Sequence, residues 1–173
     1  MNYDLGNKTM IVTGANSGIG KAASMQLAKL GAHIVMMCRN RERGEQALAD
    51  VKAASNSDKV ELILADMSSQ ASVRNAVNEF LGKYSRLDVL IHNAANFDHR
   101  QTKPVITEDG LENVFATNHV NIFLMTQLLL ETLKQSAPSR IITVASKGLM
   151  TYPFLDIEFD NLVIEGTAAP AVN

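Results

Sequence analysis

Five short apolar runs recur along the chain, and the first four are each followed by a longer stretch with helical periodicity. The runs are Met10–Val12, Ile34–Met37, Val60–Leu64 with Glu61 inside it, Val89–Ile91 and Ile141–Val144. A strand that faces water on one side alternates apolar and polar residues. A run that does not alternate suits a strand buried on both faces, as parallel sheets covered by helices require. Between the runs, Ile19, Ala23, Leu27 and Leu30 share one helical face, and Ala47, Leu48, Val51 and Ala54 share another. Val73, Val77, Phe80, Leu81 and Tyr84 form a third face. The longest helical stretch runs from about Leu111 to Lys134, with Leu111, Phe115, Ile122, Met125 and Leu129 along one stripe. Gly31 reads as a helix stop, and Asn40, Ser69 and Thr107 read as helix starts. Strand–helix–strand repetition of this kind predicts an α/β fold with right-handed crossovers.

With 173 residues the chain fits one domain, spanning 1–173, with an irregular tail from about residue 149. A hydrophobic share of 46% and a charged share of 20% are ordinary for a soluble protein. The net charge of −2 gives no electrostatic footprint for nucleic acid. Residues Met1–Lys8 lack the apolar core of a signal peptide, and no segment approaches the roughly 18 apolar residues of a membrane span. Cys38 is the only cysteine, which excludes an internal disulfide and suits a reducing, cytoplasmic setting. His33, His92, His99, His119 and Cys38 have no metal-ligand spacing, so no metal is expected. Met36 and Met37 read as core filling.

In an open parallel sheet, ligands bind beyond the carboxyl ends of the strands. The residues just past each run are therefore informative: Gly14–Gly20, Arg39, Asp66, Asn93 and Ser146 in turn. Thr13-Gly14-Ala15-Asn16-Ser17-Gly18-Ile19-Gly20 comes after a strand and opens a helix. Glycines let the backbone approach a pyrophosphate, and a helix N-terminus offers unpaired N–H groups to it. The spacing is G-x-x-x-G-x-G rather than G-x-G-x-x-G, so the glycines alone would describe a tight turn. Their setting between strand and helix favours the phosphate cradle. Arg39 lies about twenty residues past Gly20, where an acidic residue would accept a hydrogen bond from a ribose hydroxyl. An arginine cannot accept it but pairs with a 2′-phosphate, and Arg41 and Arg43 stand close by. A solvated basic helix start is the plainer alternative. NADP(H) is favoured, with NAD(H) as the other choice. Asp66 would otherwise cap the next helix, a task Ser68 or Ser69 can do. Asn118 falls on the apolar stripe between Phe115 and Ile122. A buried amide without partners costs about 1–3 kcal/mol, so it is expected to be hydrogen-bonded.

TGANSGIG at 13–20, Asp66, His92-Asn93-Ala94-Ala95, Asn118 and Val144-Ala145-Ser146 together resemble the short-chain dehydrogenase/reductase family, in its retinol dehydrogenase-like branch. The resemblance runs from about Gly6 to Leu162. It implies a Rossmann-type parallel sheet in the order 3-2-1-4-5 with helices on both faces, the C-terminal part of the family fold missing. It implies an oxidoreductase that moves a hydride between a nicotinamide and an alcohol or carbonyl substrate. Gly14, Asn16, Ser17, Gly18, Ile19 and Gly20 would hold the cofactor, with Arg39 and Asn40 on its ribose side. Asp66 and Met67 would lie against the adenine, and small Ala94 and Ala95 beside Asn93 would let the backbone approach. Asn118 would help organise a catalytic water, and Ser146 would bond the substrate oxygen. A homo-oligomer is compatible with all of this.

Two departures stand out. His92 and Ala95 replace an Asn and a Gly of the family segment. More seriously, the family's Tyr-x-x-x-Lys pair is absent, although an unassisted phenol titrates near pH 10 and needs such a lysine. The tyrosines are Tyr3, Tyr84 and Tyr152, and Tyr152 has Asp156 where the Lys would stand. The pair is expected beyond residue 173 if a longer polypeptide exists. The alternative is a non-catalytic dinucleotide-binding or interaction protein, whose fifth strand leaves an edge that another segment should cover.

Overall fold

Each apolar run becomes a strand. The computed structural model describes residues 4–97 and 103–146. In chain order they form β1 (Thr9–Thr13), α1 (Gly18–Lys29), β2 (His33–Cys38), α2 (Arg41–Ser55), β3 (Val60–Leu64), α3 (Gln70–Lys83), β4 (Val89–His92), the short α4 (Asn113–Phe115), a π turn (Ala116–Val120), α5 (Asn121–Gln135) and β5 (Arg140–Thr143). The strands are parallel in the order β3-β2-β1-β4-β5, as expected. Ile11 at the centre stands level with Val35 of β2 and Leu90 of β4.

Successive side chains of a strand point to opposite faces, so the runs feed two cores. Ile11, Val35, Met37, Ile63 and Leu90 pack under α3 and α5, against Val73, Phe80, Met125 and Leu129. Met10, Val12, Ile34, Met36 and Ile91 pack under α1 and α2, against Ala28, Ala47 and Val51. Each fully buried large side chain is worth roughly 1.5–3 kcal/mol.

Four expectations need correction. The buried face of α1 is Gly20, Ser24 and Ala28, whereas Ile19 is 67% exposed and Leu30 is exposed too. Ser24 hides because its hydroxyl donates to the Gly20 carbonyl at 2.8 Å, so a polar residue can sit against the sheet without loss. On α2 and α3 the stripes hold except at their ends, where Ala54 and Leu81 face water. The stretch expected as one helix from Leu111 to Lys134 is broken by the π turn at Ala116–Val120, and Leu111 precedes it. Thr107 starts no helix: its carbonyl accepts from Gly110 N at 3.0 Å and its hydroxyl from Leu111 N at 3.3 Å, forming a turn. Glu112 caps α4 instead, accepting from Phe115 N at 2.8 Å. Asn40 and Ser69 do cap α2 and α3, and α1 stops just before Gly31.

Strand β5 is the exception to burial. All four of its residues are exposed, Ile141 at 46% and Ile142 at 43%. The tail expected from residue 149 lies outside the described residues. Among the described residues, no helix is long and apolar enough to cross a membrane.

Candidate functional site

The carboxyl ends of the strands form a cleft of about 540 Å³. Its floor is the turn after β1, where Gly14 and Gly18 have φ of +64° and +52°, a region that side-chain-bearing residues avoid. Space is as restrictive as conformation. A Cβ on Gly14 would stand 2.8 Å from Ala94 Cα, and one on Gly20 would stand 2.5 Å from Asn93 Nδ2 and 2.6 Å from Gly14 O. Ser17 begins α1 without bonding its side chain to the first-turn amides. Those N–H groups stand at the positive end of the helix dipole, where Ser17, Gly18 and Ile19 line the cleft.

Side chains clamp the turn from behind. Asn93 Nδ2 donates to the carbonyls of Thr13 (3.0 Å) and Gly14 (3.3 Å). Thr13 Oγ1 accepts from Asn93 N at 2.9 Å and Ala94 N at 3.0 Å, and donates to Ile91 O at 3.3 Å. Sequence reasoning gave Thr13 no role. Its only signal was a hydroxyl at the last position of a strand otherwise buried and apolar.

The cleft is lined by Gly14, Asn16, Ser17, Gly18 and Ile19 from the turn, Arg39 and Asn40 after β2, Asp66 and Met67 after β3, and Asn93, Ala94 and Ala95 after β4. Gly20 lies beneath the turn rather than on the wall. The exposure of Ile19 thus has a reason: it sits at the mouth. Cys38, Arg43, Ala65, Asn96 and Thr117 also line the cleft. Of the two neighbouring arginines, Arg43 reaches the wall, while Arg41 is absent from it and pairs with Glu45 at 3.4 Å. Among the described residues, the Arg39 and Arg43 guanidinium groups have no partner.

Asp66 caps no helix. Its Oδ1 accepts from Ser68 N (2.9 Å) and Ser68 Oγ (2.7 Å), which fixes the β3 loop, while Ser69 caps α3. Residues 107–112 close over this end: Glu108 bonds the Ser69 hydroxyl, and Asp109 Oδ2 accepts from Gln70 N at 2.8 Å.

Asn118 has the partners that its amide demands, but not where a regular helix would put them. Its Oδ1 accepts from Asn96 N at 2.7 Å and its Nδ2 donates to Asn96 O at 2.8 Å. The π turn widens the helix by a residue, so Asn118 is half-buried beside the loop, and Ala116, Thr117 and Asn121 take the buried face. Ser146 lies beyond β5 at the same edge, exposed, and is not among the described residues lining the cleft.

His92 is buried, with Nε2 2.9 Å from Thr126 Oγ1. Burial pushes its pKa down to about 4, so it carries no charge at neutral pH. Tyr84 is remote, at the amino end of the sheet, 3.2 Å from His33 Nε2. Burial first, then Glu61, raises its phenol above the usual value, which disqualifies it as a base at neutral pH. Tyr3 and Tyr152 lie outside the described residues. Among the described residues, no group of three or more His, Cys, Asp or Glu side chains is placed to hold a metal ion.

The family model for short chain dehydrogenases matches residues 8–155. Retinol dehydrogenase 14 of Homo sapiens is 44% identical over 168 residues, covering 90% of this chain and 48% of the relative. Dehydrogenase/reductase SDR family member 13 of Bos taurus is 42% identical over 156 residues, covering 88% and 40%. The chain therefore spans less than half the length of these two relatives. Among solved structures, the Pseudomonas aeruginosa RhlG/NADP active-site complex matches with a TM-score of 0.71 at 29% identity, over 83% of this chain and 56% of that one. The short chain dehydrogenase from Shigella flexneri matches with a TM-score of 0.68 at 23% identity, over 84% and 56%, a likeness of fold.

Proposed function

This chain belongs to the short-chain dehydrogenase family, and from that premise we propose that its cleft holds a nicotinamide dinucleotide, NADP(H) in preference to NAD(H), for oxidoreduction of an alcohol or carbonyl substrate. The single observation that carries the reading is the turn after β1. A Cβ on Gly14 would meet Ala94 and Asn93, and one on Gly20 would meet Asn93 and Gly14 O. Only glycine therefore lets the turn lie flat on the β4 loop, with Gly14 and Asn16 to Ile19 lining the cleft where α1 begins. A diphosphate suits that place, since it is anionic and slim enough to lie against bare backbone.

When bound, the nicotinamide supplies or accepts the hydride. The chain's own residues bind and orient. With a diphosphate over Gly14–Gly20, one half of a dinucleotide would lie toward β2 and β3 and the other toward β4 and β5. Arg39 and Arg43 would meet a 2′-phosphate on the first side, and Asp66 and Met67 would flank the adenine. On the second side, Asn93 and Asn118 hold the backbone of residues 93–96, against which the nicotinamide ribose would rest. Ser146 would donate a hydrogen bond to the substrate oxygen. The proton-transfer step falls to no residue of this sequence, because none of its three tyrosines has a lysine four positions on. The RhlG complex with NADP supports the cofactor reading.

Titration of NADPH and NADH onto Arg39→Asp tests the choice of cofactor. NADPH is expected to weaken at least about tenfold, the size of a lost charge-assisted bond, with NADH little changed; equal losses contradict the 2′-phosphate role. A second reading is a dinucleotide-binding protein without turnover. A panel of aldehydes and ketones added to the NADPH-loaded chain separates the two, since oxidation of NADPH sinks the second.

A further inference from the structure

Asn121 is fully buried at the start of α5, and its amide is only half used. Its Nδ2 donates to the Met67 carbonyl at 2.8 Å, while its buried Oδ1 has no partner among the described residues. An acceptor left in that state is unfavourable, and an apolar side chain would avoid it. An amide here gains one bond, and that bond ends on the cleft, because Met67 is one of the lining residues.

Three positions earlier in the same segment, Asn118 holds the backbone of Asn96 by both of its amide atoms. Asn96 also lines the cleft, but from the loop after β4, whereas Met67 belongs to the loop after β3. In the sheet order β3-β2-β1-β4-β5, these two loops lie on opposite sides of the glycine turn after β1. The junction of the π turn and α5 therefore grips both walls of the cleft, one asparagine to each.

We infer that Asn121 is a positioning residue for the adenosine side of the cleft, acting through the Met67 carbonyl and separately from Asn118, which sets the opposite wall. With that carbonyl held, the backbone of residues 66–68 cannot move away from α5, and Asp66 and Met67 present a fixed surface to the base. The inference rests on the cleft being a dinucleotide site.

Calorimetric titration of the full chain with two probes separates the walls: NADPH, and 2′,5′-ADP, which carries the adenine and 2′-phosphate but no nicotinamide. Asn121→Ala is expected to weaken both probes by the same factor, roughly five- to tenfold, as for one lost hydrogen bond. Asn118→Ala is expected to weaken NADPH and leave 2′,5′-ADP within about twofold. A general loosening of the fold would also weaken both probes but would show in the melt, so the Asn121→Ala losses are read well below that variant's melting transition. A thermal melt checks that each variant folds, and Asn121→Ser replaces Asn121→Ala with the same expectations if the alanine variant does not. If the wild type binds both probes and the Asn121 variant binds both unchanged, the inference is overturned while the dinucleotide reading stands. It is overturned equally if the two asparagine variants lose 2′,5′-ADP alike. If the wild type binds neither probe, the dinucleotide reading fails and takes this inference with it.

Discussion

The two ends of the same parallel sheet treat their polar groups in opposite ways. At the amino ends, polar groups satisfy one another. Asp88, 2% exposed, accepts from Lys8 Nζ (2.8 Å), Arg86 Nε (2.8 Å) and Thr9 N (3.0 Å). Ser136 Oγ accepts from Leu87 N at 2.9 Å, and Tyr84 meets His33. At the carboxyl ends, side chains such as Asn93, Asn118 and Asn121 hold loop backbones in place, and what they hold faces an open cleft. The first turn of α1 has no side-chain cap there, and Arg39 and Arg43 line the cleft. One end closes the fold, and the other keeps donors available for an anion. The contrast predicts that substitutions at the two ends fail differently, in stability at one and in ligand affinity at the other.

The hardest break should come at Gly20→Ala. The added Cβ would meet Asn93 Nδ2 and Gly14 O at 2.5 and 2.6 Å, so the clamp and the turn cannot both persist. NADPH affinity should fall on the order of a hundredfold or more, as when a close backbone approach is lost. Calorimetry on a variant that retains its far-ultraviolet circular dichroism checks this, and unchanged affinity would show that the turn is not the cradle.

Next in size, Asp88→Ala should cost about 1–3 kcal/mol of stability in urea unfolding, because Lys8, Arg86 and Thr9 N lose their shared acceptor. NADPH affinity should stay within about twofold, since Asp88 is at the far end of the sheet. A pH dependence accompanies this. Burial alone would raise the Asp88 pKa, but the bonds from Arg86, Lys8 and Thr9 outweigh it and hold the carboxyl at about 2. The folded value lies below the unfolded one, so this stabilisation is full above about pH 4 and disappears as pH falls toward 2. The alanine variant should lack that acid slope.

His92 sharpens the comparison, being at the carboxyl end yet closed off. Its folded pKa of about 4 lies below the ordinary value of 6.5, so the unfolded chain takes up the proton first. Stability should therefore decline as pH falls from about 6.5 to 4, and His92→Asn should flatten that part of the curve. The smallest effect separates neighbours. Arg43→Ala should weaken NADPH a few-fold, and Arg41→Ala should leave it unchanged, because Arg43 lines the cleft and Arg41 faces Glu45.

Much of this plan is legible in the sequence where the physics is local and periodic. Burial on both faces writes β1, β2 and β4 as apolar runs, the edge strand β3 carries Glu61 within its run, and a telling residue or turn after each marks the cleft. Legibility fails where small residues do the packing. Gly20, Ser24 and Ala28 are the buried face of α1, and no hydrophobic stripe announces them. It fails again at the π turn, whose extra residue shifts the face without altering composition, so that Asn121 rather than Asn118 is fully buried. It fails also at contacts between loops far apart in the chain. The Thr13 hydroxyl on Asn93 and Ala94, the Asn118 amide on Asn96, and Thr117 on the cleft wall depend on strand order. Only a correct sheet brings such residues together. The exposed apolar residues of β5 show the reverse, a strand whose pattern implies burial that the described residues do not supply.

The central claim is that the turn after β1 is the phosphate cradle. A crystal structure of the chain grown with NADPH tests it most directly. The diphosphate should lie within hydrogen-bonding distance of the backbone N–H groups at Gly18–Gly20, with the 2′-phosphate between Arg39 and Arg43. NADPH lodged elsewhere, with that turn empty, would contradict it.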